Sequence, residues 1–324
     1  MSPPSRDTRD TPSGDIPAGH HPVMVDEVVE LFGPVPAGPV VDVTVGGGGH
    51  AAALLAAHRH LHVIGIDRDA EALVEAARRL APFGERVVAL HHARFDRLAT
   101  LVAGPVSGML ADLGVSSFQL DRAGRGFSYR QAGPLDMRMD RGQARTAAEV
   151  VNHFDEGSLA RLIAQNGEPR FARRIARRIV AARPLSTTTE LADLVRDAIP
   201  APARRTGGHP ARAVFQAVRL AVNDELAVLG PTLDAAIKLL APGGRMVVLA
   251  YHSGEDRIVK DRFLAAASGG CRCPPALPCG CGAVPLVRLL NRGARRPTAA
   301  EVAAHPRSSS GRLRACERLP AVLA

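Results

Sequence analysis

Residues 40–45, Val-Val-Asp-Val-Thr-Val, run directly into four glycines (Gly46, Gly47, Gly48, Gly49), then His50 and an Ala/Leu-rich stretch reaching about His60. The β-branched run favours an extended strand. The glycines let the backbone turn sharply, and the Ala/Leu stretch favours a helix. A second apolar run over residues 62–67 ends on Asp67, 18 residues beyond Gly49. Strand, glycine turn, helix, strand and acid follow the order of a nucleotide-binding sheet. The glycines admit a ligand close to the backbone, and the acid accepts hydrogen bonds from ribose hydroxyls. A chain with this opening is committed to an α/β fold.

The alternation continues with a helix over 69–80 and strands over 87–91 and 108–112, the pattern of a parallel sheet covered on both faces. From about 120 to 208 no strand pattern occurs. Thr146-Ala147-Ala148-Glu149 and Thr187-Thr188-Thr189-Glu190 read as helix-starting capping boxes, and residues 169–183 carry Phe171, Ile175 and Ile179 at helical spacing. A Pro/Gly/Arg linker fills 200–208. Helices over about 210–229 and up to 240, a Pro242-Gly243-Gly244 turn and a fifth strand over 245–251 then resume the α/β pattern. The expected organisation is a sheet domain from 20–122 and 209–324, with an all-helical substrate-recognition domain, 123–208, inserted after strand four. Such an insertion roofs the carboxyl edge of the sheet, where ligands bind. Residues 1–19, rich in Pro, Ser and charge, read as a disordered lead-in.

Gly47-x-Gly49-x-x-Ala52 satisfies the relaxed dinucleotide pattern, so the glycines alone leave NAD and S-adenosylmethionine both open. Dehydrogenases commonly continue into a second βαβ half. Here Asp112 closes strand four and is followed by Leu113-Gly114-Val115-Ser116-Ser117 and the insertion. Amino-group methyltransferases carry their catalytic loop at that position, which favours S-adenosylmethionine. An NAD-dependent oxidoreductase and a ribosome-binding module with a relic pocket are the competing readings.

Lys plus Arg number 41 against 32 Asp plus Glu, a net charge of +9, which suits a polyanionic partner. Arg170, Arg173, Arg174, Arg177 and Arg178 share the helix that carries the Phe171 stripe. Like charges at this spacing weaken a helix unless something external uses them, so these arginines are expected to contact nucleic-acid phosphates, joined by Arg204 and Arg205. No apolar run approaches the roughly 20 residues of a membrane span, and the first residues lack the core of a secretory signal. A cytoplasmic protein with reduced cysteines is expected. Cys271-x-Cys273 and Cys279-x-Cys281 hold four of the chain's five Cys, before a strand expected over 284–291. This cluster is either a structural zinc site or a plain thiol-bearing loop.

Several segments resemble, in order, the bacterial 16S ribosomal RNA cytosine-N4 methyltransferases, the RsmH or MraW family. They are His21-Pro22-Val23-Met24-Val25-Asp26-Glu27, the glycine loop to His50, and Asp112-Leu113-Gly114-Val115-Ser116-Ser117-Phe118-Gln119-Leu120-Asp121. Arg125-Gly126-Phe127-Ser128, Gly133-Pro134-Leu135-Asp136-Met137-Arg138-Met139-Asp140, the helix over 212–225 and Tyr251-His252-Ser253-Gly254-Glu255-Asp256-Arg257 complete the set, with a similar tail over 296–319. The resemblance implies a Rossmann-like S-adenosylmethionine-dependent methyltransferase fold. It also implies methyl transfer to N4 of one cytosine in the decoding region of 16S ribosomal RNA, within the small ribosomal subunit. Gly48, Gly49 and His50 would line the methionine end, Asp67 would hold the ribose, Phe95 and Asp112 would contact adenine, and Gln119 completes the pocket. A homodimer is an assembly to be tested.

Cytosine N4 is a poor nucleophile because its lone pair is delocalised into the ring, so catalysis requires acceptors that hold its hydrogens. Many amino methyltransferases use an Asp/Asn/Ser-Pro-Pro-aromatic loop, and this chain has Asp112-Leu113-Gly114-Val115 instead. Candidate acceptors are Asp112, Ser116, Asp136 and His252 with its neighbours Tyr251 and Ser253. Phe127 and Tyr129 are candidates to stack on an extruded base. Each has a plainer reading: Asp136 as an ion pair with Arg138 or Arg141, Phe127 as core of the insertion, His252 as a hydrogen-bonded structural histidine. His20 and His21 suggest a flexible arm without an arguable role.

Overall fold

Four parallel strands whose carboxyl ends face one edge make up one half of the sheet: β1 (Gly38–Asp42), β2 (Leu61–Asp67), β3 (Val87–His92) and β4 (Val106–Asp112). A computed structural model describes residues 22–205, 209–271, 273–274 and 280–321. The expected lead-in, His20, His21, Cys279 and the side chains of Arg204 and Arg205 lie outside the described residues. With β5 (Leu240–Ala250), β6 (Val287–Leu289) and β7 (Arg312–Arg318), the sheet runs β3-β2-β1-β4-β5-β7-β6. The first five strands are parallel, and β7 is antiparallel to both β5 and β6. Strand order reverses between β1 and β4, the switch point at which α/β sheets open a ligand crevice.

Helices α1 (Val25–Phe32), α2 (Gly49–Ala57), α3 (Ala70–Leu80) and α4 (Leu98–Leu101) belong to the sheet's first half. The short α5 (Ser117–Asp121) follows β4 and leads into the helices α6 (Ala147–His153), α7 (Glu156–Asn166), α8 (Ala172–Ala181) and α9 (Thr188–Ala198). Then come α10 (Ala211–Asn223), α11 (Glu225–Leu239), α12 (Ser253–Ser268) and α13 (Ala299–Ala304). The Thr187 capping box forms in full: Thr187 accepts from the Glu190 amide while Glu190 accepts from the Thr187 amide. At Thr146 only the forward bond, from the Glu149 amide, is made.

The helical body has its own apolar core, containing Phe127, Met137, Val150, Ile163, Ile175, Ile179 and Leu191. Helix α10 lies beyond residue 208, yet it contributes Ala211, Val214, Phe215, Val218 and Val222 to that core.

Several expected boundaries move. Strand one leaves the ladder at Asp42, although the Val43 and Val45 amides still donate to Leu110 and Ile66 carbonyls at 2.9 and 3.1 Å. The fifth strand begins at Leu240, and the Pro242-Gly243-Gly244 turn is a bulge within it. Pairing with β4 slips there, from Val106↔Leu240 to Gly108↔Arg245, as happens where proline cannot donate to the ladder. The helix expected over 210–229 is two helices, parted at Asp224, whose φ is +50°. Asn223 explains the break: it is buried and bonds through its side chain to the Met137 carbonyl and the Met139 amide, tying the helix end to the helical body. The strand expected over 284–291 shrinks to β6.

β7 was not foreseen, because Arg-Leu-Arg-Ala-Cys-Glu-Arg reads as a charged surface segment. Three of its four charges are paired instead: Arg312 and Arg314 with Asp256, and Glu317 with Arg245 and Arg288. Leu313 and Ala315 point into the core.

Candidate active site

The ends of β2, β1 and β4 bring three carboxylates, Asp67, Asp42 and Asp112, to one edge of the sheet. Asp42 Oδ1 accepts from the Thr44 amide at 3.1 Å and from its hydroxyl at 3.4 Å. The Thr44 hydroxyl in turn accepts from the Asp112 amide at 2.6 Å, which couples the ends of β1 and β4. Asp67 accepts from Gly46 N at 2.8 Å and from Asp69 N at 2.8 Å, fixing the start of the glycine loop. Burial pushes the Asp42 carboxyl up to about 8, with Asp112 and Asp67 adding to the shift against the Thr44 bonds. Burial likewise raises Asp67 to about 6. Three acids packed this closely disfavour one another's ionisation and favour a cationic neighbour.

The glycine loop meets this edge with its backbone. Gly48 has φ +78°, in the left-handed region, and a side chain there would press on Ala76 at 3.3 Å. A Cβ on Gly49 would stand 2.7 Å from Pro22 Cγ. The Pro22-Val23-Met24 segment therefore lies across the loop, and the Val23 carbonyl accepts from His50 Nε2 at 3.0 Å. A carbonyl only accepts, so this bond fixes the ring and turns Nδ1 toward Asp112 Oδ2, 3.5 Å away.

Asp112 receives a second contact from the residue that follows β5: the Tyr251 hydroxyl donates to Oδ1 at 2.7 Å. Burial raises the Asp112 carboxyl above its ordinary range, opposed by His50 and Tyr251. Burial, with Asp112 beside it, also holds the Tyr251 phenol well above its ordinary value.

Ser116 and Gln119 form a capping box at the start of α5, and the Gln119 amide nitrogen donates to Asp69 Oδ2 at 2.8 Å. Arg125 pairs with the same Asp69 oxygen at 2.8 Å, with both side chains buried. The loop after β4 is thus fastened to the loop after β2. Phe95, in the turn after β3, is half-buried against the sheet core.

The other predicted residues are already engaged. Asp136 makes a two-point contact with Arg138 at 2.9 Å. Burial pushes its carboxyl up, but the Arg138 side chain and amide hold it below the usual range. His252 caps α12, its Nδ1 accepting from the Gly254 and Glu255 amides, while Nε2 stands 3.0 Å from Glu255 Oε1. A neutral imidazole that accepts at Nδ1 carries its proton on Nε2, so His252 has no lone pair left for a substrate proton. Phe127 belongs to the helical core, and Tyr129 stacks on His209 with centroids 4.7 Å apart.

On α8, Arg173, Arg174, Arg177 and Arg178 are exposed, as is Arg170 just before it, while Ile175 and Ile179 are buried. The Arg177 guanidinium lies 3.6 Å from Glu156, and Arg170 covers the Phe171 ring. Cys271, Cys273 and Cys281 converge, whereas Cys279 lies outside the described residues. No helix among the described residues is long and apolar enough to cross a membrane.

Sequence reasoning gave no site role to Asp42, Thr44 or Arg125. Asp42 left one signal, a lone acid inside a β-branched run that ends on a glycine loop. Arg125 opens the Arg125-Gly126-Phe127-Ser128 motif, but its role stayed hidden because its partner Asp69 is distant in sequence.

Known proteins resemble this chain over most of its length. A protein named Ribosomal RNA small subunit methyltransferase H from Frankia alni is 52% identical over 310 residues, spanning 92% of this chain and 95% of that protein. Its namesake from Heliobacterium modesticaldum is 48% identical over 310 residues, spanning 93% and 98%. Among solved structures, an rRNA methylase from Streptococcus thermophilus shares 11% identity at a TM-score of 0.40, over 91% of this chain and 95% of that one. That likeness is too distant to argue from. Residues 17–319 match the MraW methylase family, and the chain belongs to it.

Proposed function

We propose that the protein transfers a methyl group from S-adenosylmethionine to the exocyclic N4 of a cytidine in the decoding region of 16S ribosomal RNA, acting in the cytoplasm on the small subunit. The relatives' shared name supports the small-subunit RNA substrate. The reacting atom rests on the resemblance of the motifs around Asp112 and Asp136 to cytosine-N4 methyltransferases.

The observation that carries the choice of cofactor is the gathering of Asp42, Asp67 and Asp112 around the glycine loop. A dinucleotide would bring an anionic pyrophosphate to these carboxylates, at a Coulombic cost. S-adenosylmethionine presents a sulfonium and an ammonium group, and the residues fit it. When bound it supplies an electrophilic methyl group. Gly48, Gly49 and His50 line the methionine end, Asp67 takes the ribose, Phe95 covers the adenine, and Gln119 holds the pocket wall to Asp69.

Asp112 is the proton acceptor in this reading. Tyr251 directs Oδ1 by its hydrogen bond while His50 Nδ1 lies 3.5 Å from Oδ2, and each oxygen keeps a lone pair for the hydrogens of N4. Holding those hydrogens turns the nitrogen lone pair out of the ring and toward the electrophile, and burial makes the carboxylate readier to take the proton released. Ser116 adds a hydroxyl at the same loop. Asp136 shapes the helical body through Arg138, and His252 orients Tyr251 by capping the adjoining helix. Arg170, Arg173, Arg174, Arg177 and Arg178 contact phosphates and position the RNA.

Asp112→Asn separates acceptance of N4 hydrogens from contact with adenine, the other role open to this residue. In steady-state methyl transfer, a fall in kcat of about 100-fold with KM for the cofactor nearly unchanged supports the acceptor. A raised cofactor KM with kcat preserved would assign Asp112 to adenine alone.

A further inference from the structure

We propose that Cys271, Cys273 and Cys281 bind a structural zinc ion through their thiolates. Their Sγ atoms all lie within 4.8 Å of one another. A tetrahedral site with Zn–S bonds of about 2.3 Å places its sulfurs about 3.8 Å apart, so only a small contraction is needed. A closed structural site takes a fourth ligand. The three described thiols supply the other three.

The fold presents these thiols on fixed supports. Cys271 follows the end of α12, where Gly269 has φ +60°, Gly270 N donates to the Ala265 carbonyl and Cys271 N to that of Ser268. The returning chain is pinned to the same helix end. A Cβ on Gly269 would meet the Val284 backbone at 2.5 Å, and Leu286 N donates to the Ala266 carbonyl at 2.8 Å. Between these anchors the described residues bury little: Gly280, Cys281 and Val284 are exposed, and Cys271 and Cys273 half-buried. A loop without an apolar core needs a cross-link to hold one shape. Zinc supplies it without an oxidant, because each thiol releases its proton on binding.

The ion lies far from the chemistry. His252 caps one end of α12 and Cys271 follows the other, and 16 helical residues span about 24 Å. The site fixes how α12 passes into β6, not the carboxylate cluster.

The test is elemental analysis of the full-length protein purified in reductant without chelator. About one zinc per chain is expected, lost in the Cys271→Ser/Cys273→Ser double variant and kept in Cys316→Ala, whose thiol is buried in β7. Cobalt substitution should give a thiolate-to-metal charge-transfer band in the wild type only. Retained S-adenosylmethionine binding by the double variant shows that it is folded, and this check does not require that RNA be methylated. The proposal is overturned if the reduced protein carries no zinc, if mass analysis finds the cysteines joined as disulfides, or if the metal survives the double substitution.

Discussion

The phenol of Tyr251, the residue that follows β5, donates a 2.7 Å hydrogen bond to Asp112 Oδ1, at the end of the neighbouring β4. The two residues are 139 positions apart in the chain, with the whole helical body between them. The bond orients the carboxylate that we assign to N4. Tyr251→Phe keeps the ring and removes only the donor. The expected result is a drop in kcat of about 10-fold to 100-fold with little change in cofactor KM, measured by steady-state methyl transfer. An unchanged kcat would leave Tyr251 a packing residue.

The raised carboxyls of Asp42 and Asp67 couple cofactor binding to pH. Both titrate above their ordinary 3.8, Asp42 near about 8 and Asp67 near about 6, so the ligand-free native state holds protons that the unfolded chain releases. Their contribution to stability is therefore fully present below the unfolded value of 3.8 and is lost as pH rises from there through the raised values. A cationic ligand reverses the preference by favouring the ionised forms. Binding of S-adenosylmethionine should tighten between about pH 6 and pH 8 and release protons, read by calorimetry in buffers of different ionisation enthalpy. Asp42→Asn keeps an acceptor for Thr44 and should flatten that dependence. A dependence of equal slope in the variant would show that Asp42 is not part of it.

Asn223 joins three parts of the fold. Its side chain bonds Met137 and Met139, and its carbonyl accepts from Arg68 at 2.8 Å. Asn223→Ala strands a buried amide and a buried carbonyl, costing about 3 kcal/mol by denaturant unfolding. Asn223→Asp restores only the acceptor, and recovers only part of the loss.

The exposed arginines of α8 make a different kind of prediction. Replacing Arg173 and Arg177 with Ala should weaken RNA binding and reduce the slope of log K against log salt by about 1 to 2, while cofactor affinity stays constant. An unchanged salt slope would move the RNA to another face.

What could be read from the sequence was local. The glycine loop, Asp67 and Asp112 announce themselves by turn chemistry and by position after β-branched runs. What escaped depends on partners far away in the chain. Asp42 reads as one more residue of strand one until Asp67 and Asp112 come to stand beside it. The helix break after Asn223 has no proline or glycine to mark it, because the contact to Met137 and Met139 sets it. β7 was hidden because Arg312, Arg314 and Glu317 find their partners only in the folded sheet. His252 looked like a base because its two capping bonds could not be seen, although Glu255, three residues on, is the capping-box signature.

The most direct test of the central claim is transfer of labelled methyl from S-adenosylmethionine to small ribosomal subunits taken from a strain that lacks this gene. Nucleoside digestion and mass spectrometry identify the product. The account predicts label in N4-methylated cytidine at a single site, abolished by Asp112→Asn. Label in another nucleoside, or none in either subunits or naked 16S RNA despite measurable cofactor binding, would contradict it.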